Sequence, residues 1–228
     1  MDIKVIASSS KGNCYRVSDG QTSVLLDAGI PFSQIQCSLD FKVSEISGAL
    51  ITHSHQDHCK AIKELARSGI DVYSSSGTFT ACKVAGHRYK AVKPFECIEI
   101  GSLAIVPFDV QHDAPEPLGF IVKSNLTGEK LLYFTDTYYL KYTFKGLNYI
   151  MGECNYSNES MRSDINKSLR NRITESHMSL THFLELLQAN DLSKVKAIYL
   201  LHLSDSNSNE ELFKSEVQKL TGTEIYVC

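Results

Sequence analysis

The chain has 228 residues, 43% of them hydrophobic, and 26 acidic against 23 basic side chains give it a formal net charge of −3. That much apolar material supports a sizeable core and is read as a single domain over residues 1–228, while the negative balance excludes binding of nucleic acid by bulk electrostatics. Seven cysteines, an odd number with no CxxC spacing, suggest neither a disulfide framework nor a thiolate zinc knot and place the chain in a reducing cytoplasm.

Taken in chain order, apolar and β-branched runs predict strands at Ile3–Ala7, Cys14–Val17 and Ser23–Leu26, joined by short turns. Two more strands, Ala49–Thr52 and Val72–Ser74, flank a helical pattern from Asp57 to Ser68 with Ile62, Leu65 and Ala66 on one side. The second half repeats the theme with strands at Leu103–Val110, Gly119–Val122, Leu131–Thr135, Tyr149–Glu153 and Ala197–Leu201. Amphipathic helices are predicted from Ser179 to Asn190 and from Asn209 to Leu220, with Ser179 and Asn209 as N-caps and Gly222 as a C-cap. No apolar run approaches the roughly 20 residues of a membrane span, so no membrane association is expected. Short-turned strands followed by strands alternating with helices predict an α/β architecture, helices packed outside β layers, and the two similar halves suit a two-sheet sandwich. Within the acidic chain, Arg162, Lys167, Arg170 and Arg172 face only Asp164, either as a solvated helix face or as local positive charge for a polyanion.

The chemistry concentrates after the strand ending at Ile51-Thr52, in His53-Ser54-His55-Gln56-Asp57-His58. In an extended segment residues two apart project to one side, so His53, His55 and Asp57 can converge. Helix onset near Asp57 then turns His58 around, and imidazole with carboxylate is a donor set that suits zinc. His112, Asp136 and His202 each stand at or just beyond the end of an apolar strand run, where side chains of separate strands can meet at a sheet rim.

HxHxDH between a strand and a helix resembles the signature of the metallo-β-lactamase superfamily. Leu25-Leu26-Asp27-Ala28-Gly29 is similar to that family's first motif, and His112, Asp136 and His202 match its third, fourth and fifth. The resemblance implies an αββα sandwich of two mixed sheets flanked by helices. It also implies two divalent ions, zinc or manganese: one held by His53, His55 and His112, a second by Asp57, His58 and His202, with Asp136 bridging both. Asp27 has no place among those ligands and is expected to orient a ligand histidine or a rim loop.

Ser8-Ser9-Ser10-Lys11-Gly12-Asn13-Cys14, Glu153-Cys154-Asn155 and Glu175-Ser176-His177-Met178-Ser179 further resemble the YycJ/WalJ branch, whose members are regarded as DNA-processing exonucleases. Two departures lie outside the ligand set: Tyr156-Ser157 stands where that branch tends to carry His-Asp, and Met178 where Leu is usual. The resemblance implies a phosphodiesterase or nuclease acting on nucleic acid or a nucleotide, in which the ions hold a bridging hydroxide and Asp57 belongs to the catalytic set. His177 is the candidate proton donor, and Asn13, Arg170 and Arg172 are the candidate substrate contacts. Two other readings are hydrolysis of a small ester, thioester, lactam or cyclic nucleotide, and a catalytically silent nucleotide or nucleic-acid binding protein.

Overall fold

The structure, a computed structural model, describes residues 1–162 and 165–228. Asp164, the acidic member of the basic run, lies outside the described residues. The chain divides into two compact units, the first made of Met1–Asp109 and Ala114–Glu129, the second of Val110–Asp113 and Lys130–Cys228.

In the first unit β1 (Asp2–Ala7), β2 (Cys14–Ser18) and β3 (Ser23–Leu26) form an antiparallel meander. After α1 (Phe32–Ser38), β4 (Gly48–Leu50) pairs parallel with β3. Then α2 (Gln56–Cys59), α3 (Ile62–Arg67), β5 (Val72–Ser74), α4 (Ser76–Ala81) and β6 (Tyr89–Ala91) extend the sheet by parallel pairing, in the order β1-β2-β3-β4-β5-β6. Every residue of β3 and β4 is buried, as expected of parallel strands covered on both faces. Leu25, Ile51, Leu65 and Val72 share one core cluster, all at 0% exposure. The helical pattern predicted from Asp57 to Ser68 is two helices, because Ala61 N donates to Ala28 O at 2.9 Å. That bond interrupts the helical ladder and ties the start of α3 to the segment following β3.

The unit also contains the antiparallel β7 (Ile98–Ile100), β8 (Leu103–Asp109) and β9 (Leu118–Ser124). Asp19, in the turn between β2 and β3, accepts hydrogen bonds from Ser102 Oγ (2.6 Å), Ser124 Oγ (2.8 Å), Thr22 N (2.9 Å) and Gln21 N (3.1 Å). Burial opposes its charge, yet these donors hold its pKa down to about 2.

The second unit is four parallel strands with their crossover helices: β10 (Lys130–Phe134), β11 (Tyr149–Glu153), α5 (Lys167–Ser176), α6 (Leu180–Gln188), β12 (Ala197–Leu201), α7 (Glu210–Thr221) and β13 (Glu224–Val227). Ser179 caps α6 by accepting from His182 N, Asn209 caps α7 by accepting from Leu212 N, and Gly222 ends α7 at φ 63°. Leu187 of α6, Phe213 and Val217 of α7 and the β12 residues Ile198 and Leu200 are fully buried. The fold is therefore α/β with two mixed sheets. Among the described residues no helix is long and apolar enough to cross a membrane.

Candidate metal centre

In the first unit Asp27 directly follows β3 in the left-handed region, at φ 55°, and is completely buried. Its Oδ1 accepts from Thr52 N at 2.8 Å and its Oδ2 lies 2.8 Å from His58 Nδ1. Thr52 Oγ1, 3.0 Å from both oxygens of Asp27, is also 3.0 Å from His53 Nδ1, so the hydroxyl that donates to the carboxylate accepts from the imidazole. One buried carboxylate thereby orients two histidines. The ring of His53 stands 4.7 Å from that of His55 and 4.2 Å from that of His58, and Asp57 Oδ2 is 3.4 Å from His58 Nε2.

Three backbone bonds lace this rim: Asn13 N to Asp57 O, Ala28 N to His58 O and Gly29 N to Asn13 O, each 2.8 Å. Gly29 has no substitute there, because a Cβ would sit 1.6 Å from Asp57 O. Asn13 is completely buried; its amide donates to Ser9 O, its Oδ1 accepts from Tyr15 OH, and its Nδ2 is 3.3 Å from His58 Nε2. Those bonds make it a brace for the histidine rim.

In the second unit Asp136 follows β10 and His202 follows β12, both left-handed at φ 44° and 53°. Non-glycine residues rarely hold that conformation, and where they do it commonly marks a functional site. His202 Nδ1 is 3.0 Å from Glu153 Oε1 and 3.1 Å from Asp136 Oδ1. Burial opposes a charge on His202, but the two carboxylates more than offset it and raise its pKa to about 10. His112 Nδ1 lies 3.1 Å from Ser176 O, and its Nε2 is 3.6 Å from Asp136 Oδ2. Burial lowers the pKa of His112, which favours the neutral ring a metal requires.

His177, just beyond α5, has Nδ1 2.6 Å from Glu153 Oε1, and its ring stands 5.8 Å from His112 and 5.4 Å from His202. Burial works against its charged form, and the Glu153 carboxylate reverses that, so its pKa is raised. Ligand atoms of Asp136, Glu153, His177 and His202 all lie within 4.8 Å of one another. Glu153, quoted in the sequence only as part of a branch motif, is the residue that sequence reasoning left out of the site. The signal available was a carboxylate closing a wholly apolar strand run.

Of the candidate substrate arginines, Arg172 lines a cleft of 820 Å³ beside His112, whereas Arg170, on another face of α5, is not part of its lining. Cys59, next to His58, donates its thiol to Ser54 O and lies 3.3 Å from Cys82 Sγ, both within the protein framework.

Residues 22–203 match the family described as Beta-lactamase superfamily domain. The chain is 28% identical to exodeoxyribonuclease YycJ of Bacillus anthracis, over 96% of this chain and 89% of that protein. It is 28% identical to exodeoxyribonuclease WalJ of Streptococcus pneumoniae serotype 2, over 91% of this chain and 83% of that one. Among solved structures it superposes on the metallo-beta-lactamase fold protein YhfI from Bacillus subtilis with a TM-score of 0.77 at 15% identity, covering 99% of this chain and 95% of that one.

Proposed function

We propose, from the premise that this chain belongs to the beta-lactamase superfamily and is a metal-dependent hydrolase of the metallo-β-lactamase fold, that its substrate is a nucleic acid, cleaved at phosphodiester bonds as by an exonuclease. One observation carries the metal half of this reading. His53, His58, His112 and His202 each have Nδ1 at 2.8–3.1 Å from a hydroxyl, carboxylate or carbonyl oxygen. An Nδ1–H fixed in this way leaves Nε2 as the ligand atom, the arrangement that orients metal-binding histidines. The donor chemistry fits divalent ions: neutral imidazoles with the carboxylates of Asp57 and Asp136, and no thiolate.

On this reading His53, His55 and His112 would hold one ion and Asp57, His58 and His202 a second, with Asp136 also a ligand; zinc or manganese so held would supply an activated water and neutralise charge developing on the phosphoryl oxygens. Asp27 and Glu153 keep the ligand rings in their tautomers. His177, whose pKa the contact with Glu153 raises against the effect of burial, donates its Nε2 proton to the leaving oxygen.

The experiment is a hydrolysis panel with the full chain in zinc or manganese: single- and double-stranded DNA, RNA, cyclic nucleotides, an aryl phosphodiester, a thioester and a lactam. Turnover of DNA with release of mononucleotides is the expected result. Turnover confined to the thioester or lactam would replace the reading with small-molecule hydrolysis, and binding of DNA without any turnover would favour a silent binding protein.

A further inference from the structure

The cleft beside His112 has a polarity that its position alone does not require. Along α5, Lys167, Ser168, Asn171, Arg172, Glu175 and Ser176 line it, a spacing of i, i+1, i+4, i+5, i+8 and i+9 that presents one face of a helix. Ser176 O holds His112 Nδ1 at 3.1 Å, so the C-terminal end of this face lies at the metal centre. The acidic lining groups, Glu175 and Asp113, sit at that end, where Asp113 Oδ1 is 3.2 Å from His112 Nε2. The cationic groups lie farther out. Arg172 is one turn back from Ser176, about 6 Å at 1.5 Å per residue, and Lys167 is about 13 Å back. Asn166 caps the far end by accepting from Leu169 N at 2.8 Å, which adds the positive end of the helix dipole beside Lys167. Tyr138, 37% exposed, also lines the cleft, its backbone oxygen held 3.0 Å from His182 Nδ1.

We propose that this face of α5, with Tyr138, is a subsite for the single strand leading away from the scissile bond: Arg172 and Lys167 bind successive backbone phosphates and Tyr138 stacks a base. The proposal rests on the phosphodiesterase reading and adds the substrate's form and length. A groove of cations beside an aromatic ring is how single strands are held without regard to sequence. Arg172 and Lys167 stand about 7.5 Å apart along the helix axis at 1.5 Å per residue, so they meet two phosphates of an extended strand, and the subsite ends within a few nucleotides of the scissile bond. The planar guanidinium of Arg172 suits a phosphate bidentately, and Lys167 acts as a point charge. Arg170 supplies an internal control, since it lies roughly 160° around the helix from Arg172 and outside the cleft.

The test uses the metal-loaded full chain and cleavage-resistant phosphorothioate thymidine oligonucleotides of two, four and eight nucleotides, with fluorescence anisotropy at several salt concentrations. Affinity should rise from two to four nucleotides and then level off. Lys167→Ala with Arg172→Ala should weaken the four-nucleotide complex at least tenfold and reduce the salt slope by about two phosphate contacts. Tyr138→Ala should weaken it by roughly tenfold without changing that slope, and Arg170→Ala should match the parent. In parallel, the ratio of kcat/KM on a four-nucleotide DNA to kcat/KM on an aryl phosphodiester should fall in the Lys167 and Arg172 variants. An equal loss from Arg170→Ala, or affinity independent of length, overturns the subsite while aryl phosphodiester turnover leaves the phosphodiesterase reading standing. Absence of both oligonucleotide binding and phosphodiester turnover overturns both.

Discussion

Glu153 is completely buried and accepts from His177 Nδ1, His202 Nδ1, Thr137 N and Met178 N. Replacement by glutamine keeps the shape and removes the charge, so the raised pKa values of His177 and His202 should both fall toward the ordinary imidazole range. Metal affinity should drop by roughly 10- to 100-fold, the usual effect of losing a partner that orients a ligand. Chelator competition reads the affinity and ring-proton NMR reads the two titrations; unchanged histidine titrations would refute the assigned role. Asp27 and Asp57 make the complementary pair. Asp27→Ala strands the buried donors Thr52 N and His58 Nδ1 and should cost about 3–5 kcal/mol of stability. Asp57, with 25% of its side chain exposed, should give a folded alanine variant that has lost turnover. Thermal melting alongside turnover separates them, and an Asp57→Ala protein that melts earlier than Asp27→Ala would reverse the assignment. The histidine cluster was legible because its residues are adjacent in sequence. Glu153 was not, since a lone carboxylate after Tyr149-Ile150-Met151-Gly152 gains meaning only when the folded chain sets it against His177 and His202.

Elements were legible in proportion to their length and apolar content. The predicted strands fall within a residue or two of the observed ones, because β3, β4 and β11 are almost wholly buried and their sequences carry that burial. β6, β7 and β13 were missed; they have three, three and four residues, and partly exposed patterns such as Tyr89-Lys90-Ala91 give no clear period. The helices α1 and α4 were missed for the same reason, with seven and six residues and few buried positions each. The break between α2 and α3 was invisible because it depends on Ala28, some thirty positions earlier in the chain. At this scale Gly29→Ala is the sharpest probe, since its Cβ would meet Asp57 O at 1.6 Å and force the rim segments apart. We expect a protein with weakened metal binding and a loss of more than about 2 kcal/mol in stability, read by denaturant titration with and without metal. Asp19 predicts an acid response. Its pKa is depressed to about 2 from 3.8, so its contribution is present above pH 3.8 and is lost as pH falls through 2. Asp19→Asn should therefore lower stability at neutral pH, with the gap to the parent closing toward pH 2.

For the molecule as a whole, metal and protons compete for the same side chains. In the metal-free protein His202 titrates at about 10, above the ordinary imidazole value of 6.5. The stabilisation from its protonated form is therefore complete below pH 6.5 and lost as pH rises through 10. A metal requires the neutral ring, so binding at this histidine displaces a proton throughout that window. Apparent metal affinity should then strengthen with pH, by about tenfold per unit for one displaced proton, and level off near pH 10. Competition with a chromophoric chelator across pH 6.5 to 9 measures the slope, and a flat profile would remove His202 from the ligand set. Elemental analysis of the purified chain should find close to two divalent ions, and exhaustive chelation should abolish turnover. Because the ions bind the folded state, restoring them at about 100 times their dissociation constant should add about 2.7 kcal/mol per site. Full activity in a protein shown to be metal-free would overturn the centre, whatever substrate it acts on.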